Sequence, residues 1–291
     1  SLIPGTTLVA RWFSRRRAIA LAIASSGLSV GGIVITPFAA ALIDNRGLAE
    51  ATPLLAIIYI VAVVPVTALM LRKSPASMGQ EPDGVPTLST NSKIHLAGTV
   101  FSVALKSRFF ILATTAFIFI FMAQVGGLAH QFNLVAGRID TTIAATSVAS
   151  LAAASMIGRF IGGWAIGRFS IRPVTVALIF LQASSLIAIA YAETTASLLI
   201  ASATLGLALG NLLMALPLLL ADAFGMRDYG RIYSTSQAIA QLGVAMGPAL
   251  VGYMYGVWNG YTLAIVVISG LALTGAAVFM AAGPVPEPGK D

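Results

Sequence analysis

The chain has 291 residues, of which 58% are hydrophobic and only 9% are charged, and its net charge is +7 at pH 7. An ordinary soluble domain has roughly 25% charged residues. Because 291 residues cannot hide this much apolar side chain in a water-soluble core, the composition predicts an integral membrane protein.

The sequence also argues against several classes of site. It has no cysteines, which excludes disulfides and thiolate metal sites, and its two histidines, His95 and His130, are too few for a histidine cluster. We find neither a phosphate-binding G-x-x-x-x-G-K-[ST] motif nor the zinc motif H-E-x-x-H. The basic residues lie mostly in short loops, as membrane topology requires. We therefore expect no enzyme, no cofactor, no metal and no nucleic-acid partner.

Charge-poor segments long enough to cross a bilayer follow one another along the chain. A helix needs about 20 apolar residues to span about 30 Å of hydrocarbon. The run 232–286 has no Asp, Glu, Lys or Arg, which is too long for one crossing, and we divide it at the glycines and aromatics of 256–261. Eight predicted spans result: 18–43, 51–71, 109–134, 141–166, 173–192, 196–221, 232–256 and 261–281.

Lys and Arg are distributed unequally between alternate loops. Cytoplasmic loops carry an excess of these residues, and an error of one span would mix the two sides. With eight spans, one side holds only Arg46 and Arg138. The other side, which we assign to the cytoplasm, holds fourteen: Arg11, Arg15, Arg16, Arg17, Arg72, Lys73, Lys93, Lys106, Arg108, Arg168, Arg172, Arg227, Arg231 and Lys290.

Glycines recur at near-helical spacing in two of the predicted spans. Gly27 and Gly31 lie in the first span, and Gly243, Gly247 and the adjacent Pro248 lie in the seventh. Small residues at this spacing let a second helix approach closely, although glycine is also simply frequent in membrane helices. The two stripes lie six spans apart, which indicates an internal repeat of six helices.

Four stretches of the sequence, in chain order, resemble signatures of one known family. They are "RWFSRRRAIALAIASSGLSVGGIVITP", "RKSPASMGQEPDG", "GRFIGGWAIGRFSIRP" and "DAFGMRDYGRIYSTSQAIAQLGVAMGP". The family is the major facilitator superfamily, and within it the monocarboxylate and oxalate/formate transporter branch. The resemblance implies an all-α membrane protein with the helical bundle of that superfamily, eight transmembrane helices preceded by the tail of another.

The resemblance also implies a division into domains. If 18–43 corresponds to the fifth helix of such a fold, the sequence is N-terminally truncated, and 1–71 is the remnant of the N-terminal half. The remaining predicted parts are a cytoplasmic central loop at 72–108, a C-terminal six-helix half at 109–281 and a cytoplasmic tail at 282–291. We expect a multi-pass protein of the plasma membrane, in a bacterium the inner membrane.

Arg159 is the strongest candidate for a binding residue. It lies nine residues before Arg168, about 13 Å deeper along a helix. A guanidinium at the membrane centre costs about 2.5 to 3.5 kcal/mol, and its planar fork suits a carboxylate. The resemblance agrees, because that branch has an arginine of its eighth helix implicated in anion binding. The alternative is a structural arginine that reaches the interface or bonds helix-end carbonyls.

Other polar side chains in the spans are weaker candidates for the substrate site. Gln124 and Gln131 are seven residues apart and so lie near one helix face. Asn211 lies in the sixth span, and Gln237 and Gln241 lie in the seventh. Each can line a cavity, but each can equally join two helices by a hydrogen bond.

Departures from the family pattern bear on coupling and substrate. Ser155 stands where some proton-coupled relatives carry an aspartate, and Gly167 stands where an aspartate is common in the loop signature. Oxalate/formate-type relatives also use a lysine that 232–256 lacks. The serine disfavours proton coupling through this half and leaves a proton bound elsewhere or a counter-anion as the coupled ion. The missing lysine disfavours a dicarboxylate substrate, and Gly167 argues against a charge-locked cytoplasmic gate.

The sequence therefore predicts a secondary transporter of a small organic anion, a monocarboxylate, that works by alternating access across the lipid bilayer. One alternative is a facilitator that moves drug-like or sugar solutes, in which Arg159 is structural. Another is a membrane receptor or assembly protein that transports nothing.

Overall fold

The computed structural model describes residues 2–13, 16–70 and 98–286, and these are almost entirely helical. Most of the predicted central loop, with His95, and the last five residues lie outside the described residues. The helices are α1 (Leu2–Trp12), α2 (Arg17–Met70), α3 (Phe101–Ala104), α4 (Arg108–Arg138), α5 (Thr141–Arg168), α6 (Ile171–Tyr191), α7 (Thr195–Phe224), α8 (Tyr229–Trp258) and α9 (Tyr261–Ala281).

The chain forms two compact units, 1–91 and 92–291. In the first unit, the long helix α2 contains the first predicted span, 18–43, and all but the last residue of the second, 51–71. Its backbone leaves helical geometry at Gly47, where φ is 77° and ψ is 161°. Only glycine adopts this conformation without strain, so Gly47 separates the two spans. A Cβ built at Gly27 or Gly31 meets no described atom within 4 Å, and the packing role of these two glycines stays a prediction.

Seven segments of the described chain are long and apolar enough to cross a membrane. One is Asn45–Ala68 in the first unit, and the other six are the helices α4 to α9 of the second. They match seven of the eight predicted spans, and the eighth, 18–43, lies within α2. The division of the apolar run is also confirmed, since α8 ends at Trp258 and Asn259 takes a left-handed conformation before α9.

The second unit is a bundle of the six long helices, in which α4 and α7 are the most buried. α4 packs on α8 and α9, while α7 packs on α5 and α6, and α6 also packs on α9. Short polar turns separate consecutive helices. Asp140 caps α5 by accepting a hydrogen bond from the Ile143 amide at 2.7 Å, and Thr194 and Ser197 form a reciprocal cap at the start of α7.

Three arginines hold the ends of α4, α6 and α9 together. At one end of the bundle, Arg138 donates to the Ile189 and Ala192 carbonyls at 3.2 and 3.0 Å and to the Thr262 hydroxyl at 3.1 Å. At the other end, the side chains of Arg108 and Arg172 each donate to a carbonyl in the last turn of α9, at 3.0 Å. Cations are favourable at the C-terminal ends of helices, so these residues stabilise the bundle besides marking its topology.

We expect Arg138→Ala to lower the free energy of unfolding by about 1.5 to 3 kcal/mol, because this variant loses three hydrogen bonds. Since Arg138 itself is exposed, each bond should contribute in the lower part of the usual range of about 0.5 to 1.5 kcal/mol. Thermal unfolding in detergent, followed by light scattering or tryptophan fluorescence, measures the effect. Arg168→Ala, at an exposed arginine that ends α5, is the matched control and should change stability little. Equal melting temperatures for the two variants would contradict the role given to Arg138.

The segment that precedes α4 is fixed to the turn between α7 and α8. The Thr99 amide donates to the Phe224 carbonyl at 2.8 Å, and the Phe101 amide donates to the Asp228 carboxylate at 2.8 Å. The Arg231 guanidinium lies 4.5 Å from the centre of the Phe101 ring. A backbone bond, a charged cap and a cation–π contact thus anchor this segment.

Candidate functional site

Arg159 lies on the buried face of α5. Its side chain is only 2% exposed, and it lies nine residues before the end of the helix at Arg168, about 13 Å along the axis. A Cβ built at Gly210 of α7 would lie 3.0 Å from Arg159 Cγ and 2.9 Å from Ser155 Oγ. The aliphatic part of the arginine therefore crosses α7 at Gly210, next to the serine hydroxyl.

Glycines on both helices bring α5 and α7 into backbone contact around this arginine. A Cβ at Gly206 would meet the Leu151 carbonyl oxygen, and one at Gly158 would lie 2.7 Å from the Leu207 carbonyl oxygen. The sequence interpretation missed this pairing. Its signal was present, since "GRFIG" and "GLALG" both have glycines four residues apart, the spacing at which small residues support close helix packing.

Asn211 joins the same two helices. Its side chain is buried, and its amide nitrogen donates to the Gly158 carbonyl at 2.7 Å and to the Leu207 carbonyl at 2.8 Å. Both amide protons are therefore used in helix packing. The amide oxygen lies against Gly162 and accepts no hydrogen bond from the part of the chain that the structure describes. Asn211 fixes the backbone of the turn that contains Arg159.

Gln131 brings α4 to the same helix pair. It is 1% exposed, and its amide nitrogen donates to the hydroxyls of Ser147 on α5 at 3.3 Å and Ser202 on α7 at 3.0 Å. Gln124 is also buried and lies two helical turns away on the same face. Among the described residues, the side-chain oxygens of both glutamines lack a hydrogen-bond partner. The structure thus places Gln131 on the side of α4 that faces α5 and α7, and helix periodicity puts Gln124 near the same face.

The two other predicted glutamines lie on a different helix. Gln237 is half-buried and Gln241 is exposed, both on α8, which packs on α4 and α9 rather than on α5. Nothing in the described contacts connects these two side chains to the α5–α7 pair. No group of three or more His, Cys, Asp or Glu in the described ranges could hold a metal ion.

The glycine stripe of α8 faces α4. A Cβ at Gly243 or Gly247 would meet the carbonyl oxygen of Ile118 or Met122 of that helix. Next to it, the Pro248 carbonyl accepts a hydrogen bond from His130 Nε2 at 3.0 Å. These residues of α8 therefore lie at a helix contact on α4, away from the α5–α7 pair.

Comparisons with known proteins agree on the kind of fold. The family model described as Major Facilitator Superfamily matches residues 1–137 and 109–291. The MFS transporter asaE of Aspergillus flavus is 25% identical over 280 residues, which are 95% of this chain and 60% of that protein. The chain thus spans 60% of the length of this curated relative.

Two solved structures of FucP have a similar fold. A variant of the Escherichia coli fucose:proton symporter superposes with a TM-score of 0.67 at 18% identity. FucP in the outward conformation gives 0.64 at 17% identity. Each alignment covers 96% of this chain and 72% of the other. At this level of identity the likeness shows a common fold.

Proposed function

Because the chain belongs to the Major Facilitator Superfamily, as an integral multi-pass membrane protein, we propose that it acts in a secondary transporter of a small organic anion, a monocarboxylate. Such transporters expose a site near the bilayer midplane to each side of the membrane in turn. In this proposal Arg159 binds the carboxylate, and the protein works in the plasma membrane.

The placement of Arg159 supports the anion. A charged side chain this deep in a membrane span is costly, and such residues usually mark a substrate or ion path. Around it, Gly210 leaves room for the side chain, and the Asn211 bridge holds the backbone of its turn. A guanidinium held in this way can give a carboxylate two parallel hydrogen bonds.

The positions of the acidic residues restrict which ion can be coupled to transport. In the described spans of the second unit, Asp222 is exposed near the end of α7, and Asp140, Glu193 and Asp228 lie in turns. No described carboxylate of this unit therefore lies at the depth of Arg159. We propose either exchange against a counter-anion or a proton carried by a group outside these helices.

Uptake into proteoliposomes tests the proposal. The transporter is expressed from its full reading frame, purified and reconstituted, and uptake of a labelled monocarboxylate is compared with uptake of a labelled neutral hexose. We expect saturable uptake of the carboxylate and none of the hexose. Uptake of the hexose alone would replace the anion by a sugar. If the transporter takes up neither of these solutes and no drug-like cation, a receptor or assembly role is favoured.

A further inference from the structure

Three polar side chains form a row of hydrogen-bond acceptors along the inner faces of α4 and α5. They are Gln131, Gln124 and Ser155, which we call the acceptor track. All three are buried, and the side-chain oxygen of each lacks a hydrogen-bond partner within the described part of the chain. Buried polar atoms of native proteins are nearly always paired, so three unpaired oxygens on the two helices next to the candidate anion site indicate where hydrogen-bond donors of a substrate bind.

The orientation of the Gln131 amide follows from its neighbours. The Ser147 hydroxyl donates its only proton to the Ala144 carbonyl at 2.9 Å, so it can only accept from Gln131. The nitrogen of Gln131 therefore points to Ser147 and Ser202, and its oxygen points away from them. A ligand that meets this oxygen must donate a hydrogen bond.

The register of the helices relates the track to Arg159. Because the short turn at Ile139 and Asp140 makes α4 and α5 antiparallel, the Gln131–Ser147 contact sets their alignment. Gln124 lies seven residues before Gln131 on α4, about 10 Å along the axis, and Ser155 lies eight residues after Ser147 on α5, about 12 Å along the axis. Gln124 and Ser155 therefore lie at similar depths. Arg159 follows Ser155 by one turn, about 6 Å, and both side chains border Gly210.

We propose that the substrate is a polyhydroxylated monocarboxylate of about four to six carbons, whose carboxylate binds Arg159 and whose hydroxyls donate to Ser155 and Gln124. This inference rests on the proposed function. A hydroxyl next to the carboxylate, as in a two- or three-carbon hydroxy acid, is too close to the guanidinium to reach Gln124. A simple fatty acid leaves the acceptors unpaired, and sites built to pair with a hydroxyl strongly reject analogues that lack it.

Competition against uptake of labelled D-gluconate by the reconstituted transporter tests the inference. Unlabelled gluconate should compete at least about tenfold better than hexanoate or lactate. In Gln124→Met, which removes one acceptor at nearly constant volume, we expect the preference for gluconate over hexanoate to fall about tenfold. Ser155→Ala should lower it in the same direction, and it serves as the second variant if Gln124→Met does not fold.

Gln182→Met is the matched control. Gln182 is fully buried on α6, its nitrogen donates to the Ile120 carbonyl at 3.0 Å, and its oxygen is likewise unpaired among the described residues. It lies outside the acceptor track, so the preference for gluconate should be that of the wild type. A loss of preference equal to that of Gln124→Met would show a general packing effect and would overturn the inference.

The outcomes for the substrate and for the track are separable. If wild-type transporter takes up monocarboxylates in a way that requires Arg159 but does not prefer hydroxylated ones, the acceptor track is overturned and the proposed function survives. The same holds if both track variants retain the preference. If gluconate uptake persists unchanged in Arg159→Ala, the anion-binding role of Arg159 fails, and if the wild type takes up no monocarboxylate at all, the proposed function itself fails.

Discussion

Arg159→Ala is expected to reduce carboxylate uptake at a fixed subsaturating concentration by at least about 30-fold. Truncating one partner of a buried charged pair typically costs about 2 to 5 kcal/mol, and 1.4 kcal/mol is a factor of ten. The loss should appear as a higher KM, a lower maximal rate or both. Initial rates in proteoliposomes with equal amounts of folded protein, checked by size exclusion in detergent, give the measurement.

Arg159→Lys sharpens this prediction. Lysine keeps the positive charge but not the planar fork that pairs with two carboxylate oxygens, so we expect partial uptake, between that of Arg159→Ala and wild type. Arg168→Ala, nine residues along the same helix at an exposed position, should transport normally. Wild-type uptake by Arg159→Ala would mean that the arginine is structural, and the anion would then have no identified binding residue.

Gly206→Ala is expected to lower the free energy of unfolding by about 1 to 3 kcal/mol, the usual cost of an added methyl group in a packed interior. Its Cβ would meet the Leu151 carbonyl oxygen and would lie 3.1 Å from the Ala154 Cβ, and a backbone carbonyl cannot rotate aside as a long side chain can. Thermal unfolding of the purified protein should show the effect, and the separation of α5 from α7 should also reduce uptake.

Gly270→Ala provides the matched comparison for this variant. Gly270 is exposed within α9, and a Cβ there meets no described atom within 4 Å. Because alanine favours a helix over glycine by roughly 1 kcal/mol, this variant should be at least as stable as the wild type. A Gly206→Ala protein as stable as Gly270→Ala would contradict the tight contact between α5 and α7.

The membrane spans could be predicted from the sequence because the bilayer imposes a simple rule. Length, lack of charge and the position of basic loops locate α4 to α9 to within a few residues. The helix ends extend beyond the apolar segments, as in α4, which begins at Arg108 and ends at Arg138. These terminal arginines fall outside a hydropathy window, but they lie within the helix, and their side chains donate to the ends of neighbouring helices.

The pairing of the helices was harder to predict. Gly243 and Gly247 indicate that another helix packs closely on α8, but the sequence does not show which helix this is. The structure identifies it as α4. The pair α5 and α7, which contains Arg159, forms where Gly206 and Gly210 of α7 contact backbone carbonyls of α5. A hydropathy pattern does not distinguish α5 from the other apolar helices, so it cannot identify this partner. Gln124 and Asn211 likewise look alike in sequence, although the amide protons of Asn211 are used in packing and the Gln124 oxygen is unpaired.

The anchoring of Thr99 and Phe101 has a structural consequence. The polypeptide that connects the two units is attached to the second unit at the turn between α7 and α8, not first at Arg108 where α4 begins. The segment before α4 is therefore held by Phe224 and Asp228, at the junction of α7 and α8. Since Arg159 packs against Gly210 of the same helix α7, the attachment of this segment and the candidate binding residue share one helix.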